Sequence, residues 1–129
     1  MRAILVATVA VLMTTPAGAQ GFVANRTQWN ALGDARKADY VMGVYDGLNQ
    51  VSHGEAEIYL ATIEARTACL NALGITSRDL ALMVDEGYAA DAAAWSDPPL
   101  ALLLRQTNRV CRSQINAAVV AAGGEPFIP

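Results

Sequence analysis

The sequence predicts an all-α fold, a small disulfide-stapled bundle of four main helices. Three observations carry this expectation. Apolar residues recur three and four positions apart, and strict alternation is absent. The chain is rich in Ala and Leu and poor in β-branched and aromatic runs. Helix start and stop residues (Thr76, Pro98, Gly74 and Gly123 among them) fall where the periodic segments begin and end.

The first segment is read as a leader, not as part of the fold. Met1-Arg2 opens with a positive charge, residues 3–13 are apolar, and Ala17-Gly18-Ala19 has the small-x-small form of a cleavage site. The apolar run is about half the ~20 residues a membrane span needs. The expectation is a secretory signal peptide over residues 1–19, cut after Ala19, and one helical domain over residues 20–129. That assigns the protein to an oxidising compartment outside the cytoplasm, with no membrane attachment expected once the signal is removed.

A short turn over residues 27–32 is expected to pack Trp29 and Leu32 back onto the core. The first main helix spans about residues 34–50 with Asp34 as its cap, and Ala38, Val41, Met42, Tyr45 and Leu48 form its apolar stripe. Ser52-His53-Gly54 reads as a turn. The second helix covers about residues 55–72, with Ile58, Ala61, Ala65, Cys69 and Ala72 on one face, and Gly74 stands at its stop position. Thr76-Ser77-Arg78-Asp79 has the form of a capping box. The third helix follows it, burying Leu80, Met83, Val84, Gly87 and Tyr88 and ending near Asp91. For the fourth, Asp97 is the expected cap and Pro98 the first helical residue. Leu100, Leu103, Leu104, Thr107, Cys111, Ile115 and Val119 continue one stripe until Gly123-Gly124.

The two cysteines, Cys69 and Cys111, are 42 positions apart and both lie after the signal. In an exported protein such a pair reads as a disulfide. Each also falls on the apolar stripe of its helix, so period and cross-link agree.

Charge narrows the partners. Removing Arg2 with the signal takes the formal charge from −3 to −4, and Lys37 is the sole lysine. Without a basic cluster, nucleic-acid binding is not expected. No catalytic, cofactor or metal constellation is visible. His53, the one histidine, lies in a solvated turn beside Ser52, with no orienting partner in sight. Asp39 and Asp46 share a face of the first helix, and Asp46 is placed to pair with an Arg from another helix. Asp85, Glu86 and Asp91 read as a solvated face. Gly43, Gly47 and Gly87 sit in helical stripes, where close helix approach is the simplest reason for a glycine. Trp95, at a helix–helix connection, is expected to plug the end of the core, or else to anchor a partner. Trp95, Asp97 beside it and His53 are the candidate partner-contacting residues.

The segment Tyr40-Val41-Met42-Gly43-Val44-Tyr45-Asp46-Gly47 resembles the "GYxxGVxD" signature of the Rap1a/Tai immunity-protein domain, with Tyr40, Gly43, Asp46 and Gly47 as its motif residues. Cys69, Gly74-Ile75-Thr76, the helix from Leu80 to Tyr88 and the Pro-led helix from Pro98 to Cys111 follow in that family's order. The resemblance covers residues 34–112. It departs from the family in lacking additional cysteines and in having Arg109-Val110 before the second cysteine in place of Phe-Pro. It implies a periplasmic, non-catalytic protein that binds and blocks a peptidoglycan-degrading effector of type VI secretion. The protein partner would be a cell-wall hydrolase. The alternative is a small acid-activated periplasmic chaperone, although one lysine is few for the lysine-rich pattern expected of that class, or an envelope protein of another role. A bundle of this kind can also form a homodimer.

Overall fold

The computed structural model describes residues 22–50 and 56–126. Those residues form six α-helices, one 3-10 helix and no strand. The all-α class and the cysteine cross-link are as expected. The signal segment, the Ser52–Gly54 turn and His53 lie outside the described residues.

Helix α1 (Arg26–Asn30) is capped by Asn25, whose side chain accepts from the Gln28 N–H, and it buries Trp29 completely. Helix α2 (Asp34–Leu48) begins one residue earlier in register than expected. Gly33 holds the cap position, so Asp34 is the first helical residue, where its charge suits the helix N-terminus. Val41 is buried, but Met42 is 50% exposed, because α2 packs on α4 and turns Met42 away from it.

Helix α3 (Glu57–Ala72) shows the largest departure in register. Its buried residues are Ile63, Arg66, Cys69 and Leu70, while Ile58 is 39% exposed and Ala72 lies at the surface. Cys69 belongs to both faces, which is why the cross-link was legible and the stripe was not. The bulky Ile63 and Leu70 take the core, and the small Ala61 and Ala65 line the shallow groove that runs beside α6. Gly74 ends the helix at φ +67, with Ile75 N–H on Leu70 O and Gly74 N–H on Asn71 O, a Schellman closure.

Helix α4 (Ser77–Ala90) opens on the capping box: the Asp79 N–H donates to Thr76 Oγ1, and the Thr76 N–H donates back to Asp79 Oδ2 at 2.8 Å. It packs on both α2 and α5, and so buries Leu80, Val84, Gly87 and Tyr88, as its period demands. A 3-10 helix (Ala92–Ser96) then turns the chain. The Asp91 carboxylate accepts from the Ala93 N–H at its start.

Helix α5 (Pro99–Val110) has Pro98 in the cap position and Pro99 as its first residue, one position later than expected. Asp97 therefore does not cap it. The expected fourth helix is two: α6 (Arg112–Ala121) follows α5 across Cys111, where φ is −101 and ψ is 16. No Gly or Pro marks that break. Thr107 Oγ1 donates back to the Leu103 carbonyl at 2.8 Å, a pattern that bends helices. The Cys69–Cys111 disulfide, with Cα atoms 5.8 Å apart, ties the bend to α3. Beyond it α6 packs on α3 and ends in a second Schellman closure at Gly123, φ +82.

Candidate functional site

Two of the three residues singled out for partner contact, Trp95 and Asp97, meet where α4, the 3-10 helix and α5 join. Trp95 does not plug the core. Its side of the bundle is closed by Trp29 and Ala94, both buried, and Trp95 itself is 48% exposed. The exposed indole is nevertheless held. Its N–H donates to the Tyr88 carbonyl at 3.0 Å, and the Arg26 guanidinium lies 4.3 Å from the ring centroid. The last turn of α4 leaves carbonyls without helical partners; the indole takes one of them and gains a fixed orientation.

Asp97 lies two residues on. Its carboxylate pairs with Arg105 of α5, and its backbone carbonyl accepts from the Tyr88 hydroxyl at 2.7 Å. Burial pushes the Tyr88 phenol up to about 12, and the Asp97 carboxylate adds to the rise. Tyr88 is thus neutral and donating, and it fixes the turn that carries Trp95 and Asp97. His53, the third candidate, lies outside the described residues.

Two polar centres were not anticipated. Asp85 does not merely face solvent: its Oδ1 accepts from the Trp29 indole at 2.7 Å and from the Lys37 ammonium at 2.7 Å. Lys37 also stands 5.1 Å from the Trp29 ring centroid. Tyr40 closes the group edge-on, 5.9 Å from Trp29. The second centre is Arg66. It is 4% exposed, yet no carboxylate among the described residues pairs with it. Its Nη1 donates to Asn108 Oδ1 at 3.4 Å, its guanidinium sits 5.8 Å from the Tyr45 ring, and its Nε has no described partner. Tyr45 and Asn108 lie in the last turns of α2 and α5. The charge therefore rests between two helix C-termini, whose dipoles favour a cation. Tyr45 in turn shares a hydrogen bond with Thr67.

Arg66 had one available signal. It lies three residues before Cys69, which places it on the cysteine's buried face. Asp85 had none, since an acidic residue beside Glu86 looks like surface until Trp29 is known to lie above it.

The motif residues of α2 divide. Tyr40 packs on Trp29, and burial raises its phenol pKa. Gly43 and Gly47 are exposed, with open space where a Cβ would stand, so close helix approach is not their reason. Asp46 is exposed and pairs with none of the described arginines. Close approach does explain Gly87, where a Cβ would meet Leu102 Cδ1 at 2.9 Å.

Among the described residues, no group of three His, Cys, Asp or Glu side chains converges. No described helix is long and apolar enough to cross a membrane. In comparisons with known proteins, no family model, no curated protein and no solved structure matches the chain.

Proposed function

We propose that this chain is an exported binding protein that acts by docking on a protein partner in the periplasm, without chemistry of its own. One observation carries the reading. Trp95 is a large, half-exposed aromatic held in one orientation by the Tyr88 carbonyl and the Arg26 guanidinium. Interface hot spots are enriched in such residues, and pre-ordering removes part of the entropy that docking otherwise costs. The buried disulfide supports an oxidising compartment. The resemblance of residues 34–112 to Rap1a/Tai immunity domains gives the partner its class: a peptidoglycan-degrading effector of type VI secretion, blocked by occlusion of its active site.

The test is affinity capture from the host periplasm with the oxidised protein and with Trp95→Ala. The expected result is a stoichiometric cell-wall hydrolase whose capture falls at least about tenfold in the variant, a loss of ~1.4 kcal/mol. Capture that Trp95→Ala leaves unchanged would remove the indole from the interface. A broad set of clients, held only near pH 2–3, would instead make the protein an acid-activated chaperone.

A further inference from the structure

We propose that the hollow between α4 and α5 receives an acidic side chain of the docked partner, with Arg109 as the group that reads it and Arg105 and Gln106 beside it. The proposal rests on the docking reading above and names the chemistry the partner must present.

Gly87 lines the hollow and lets α4 and α5 approach closely beneath it. Gly87 is buried, and a Cβ there would lie 2.9 Å from Leu102 Cδ1 and 3.1 Å from Gln106 Nε2. The gap above them measures about 310 Å³. That is at the lower end of ligand-pocket sizes, ~300–1,000 Å³, and suits one side chain rather than a helix. Its floor is Gly87 and Leu102, and its rim carries Arg105, Gln106, Arg109 and Asp91. It shares the last turn of α4 with the Tyr88 carbonyl that holds Trp95. Arg105 on its rim also pairs with Asp97, two residues beyond Trp95, so the hollow and the indole are joined by one ion pair.

The charges on the rim select the occupant. Arg105 is already paired with Asp97. One oxygen of Asp91 is engaged by the Ala93 N–H at the start of the 3-10 helix. Arg109 is exposed and makes no hydrogen bond or ion pair with a described residue. One unpaired guanidinium is left, and it presents the planar fork that a carboxylate meets with two parallel bonds. Gln106 lines the same hollow and supplies an amide donor beside it. A phosphate group carries about −1.5 to −2 charge and would face the Asp91 carboxylate across the same rim. A carboxylate needs only the single charge that is free.

The experiment follows the arginine Nε–H signals of the isotope-labelled, oxidised protein during titration with three blocked peptides: acetyl-Gly-Glu-Gly-amide, its Gln counterpart and its phosphoserine counterpart. The Glu peptide is expected to move Arg109 and Arg105 along a saturating curve. The Gln peptide should bind at least about tenfold more weakly. Arg109→Gln should abolish saturation while leaving the helical circular dichroism unchanged. Equal movement of Arg78, which lies at the far end of α4, would reduce the effect to general charge attraction and overturn the proposal. So would tighter binding of the phosphoserine peptide, or shifts that never saturate. The titration needs no partner, so its failure beside a Trp95-dependent capture rejects the hollow alone. Saturation beside a capture that ignores Trp95 rejects the docking reading instead.

Discussion

Arg66 shows how much a single side chain can depend on its surroundings. A buried cation without a carboxylate is held by a long bond to Asn108, the Tyr45 ring and two helix C-termini. Replacing buried charge by an apolar group of similar length is often neutral or stabilising. Arg66→Met is therefore expected to match or exceed the native stability in urea denaturation, whereas Arg66→Ala, which also opens a cavity, should be about 2 kcal/mol worse than Arg66→Met. Equal losses in the two variants would mean that the guanidinium itself is a net stabiliser. Asp85 sets the opposite case. Asp85→Ala strands the Trp29 N–H and the Lys37 ammonium, and an expected cost of about 1–3 kcal/mol follows. Asp85→Asn keeps an acceptor for the indole and should cost less than half as much. Tyr88 adds a pH signature. Its folded pKa of about 12 exceeds the unfolded value near 10, so its contribution is complete below about pH 10 and is lost as pH rises through that window. Tyr88→Phe should flatten the alkaline side of the stability profile.

Among the helices, those with chemical punctuation were legible and those whose register depends on a neighbour were not. The α4 capping box is local, and it formed as its four residues require. Hydrogen bonds from Thr76 to Asp79 hold that carboxyl below its ordinary pKa, aided by Arg78. A depressed folded pKa contributes stability that is present above about pH 4 and is lost as pH falls through the lower folded value. Thr76→Ala should therefore lower the thermal midpoint at neutral pH, and in strong acid the loss should shrink only by the part that the Thr76 hydroxyl contributes to the Asp79 carboxylate, because the Asp79 N–H bond to Thr76 Oγ1 does not titrate. Gly74 and Gly123 were equally legible as stops, because only a residue that tolerates positive φ closes those ends without strain. The face of α3 was not legible. Its alanines and its larger residues offer two overlapping stripes, and the choice falls to whatever α5 and α6 present. The division of α5 from α6 was hidden for a similar reason. Thr107 and Cys111 are ordinary helical residues until one bends the helix and the other is tied to α3.

Across the whole molecule, the disulfide is the largest single constraint. It joins α3 to the α5–α6 bend across 42 positions. The chain-entropy model assigns such a loop on the order of 4 kcal/mol, set against the ~5–15 kcal/mol typical of a domain. Replacing both cysteines by serine should lower the urea midpoint by a comparable share. It should loosen the α3–α6 pair first, and faster hydrogen exchange in α6 than in α4 would show it. Exchange that accelerates uniformly would mean that the cross-link stabilises the bundle without favouring one pair.

Composition and period were enough for the helical class, for the cysteine pairing and for most helix ends, because each is governed by contacts within a few residues or by the simple fact that two cysteines remain. The surroundings of Trp95, Asp97, Asp85 and Arg66 needed the assembled chain. Trp95 lies half-exposed, held there by the Tyr88 carbonyl and the Arg26 guanidinium, while Trp29 and Ala94 are the residues buried nearby in sequence or fold. Asp97 is drawn to Arg105 and not to the helix end because the α5 start slips by one residue. Asp85 and Arg66 acquire their roles from partners 56 and 42 positions away. Such long-range pairings are decided by how helices pack, and no local pattern encodes them.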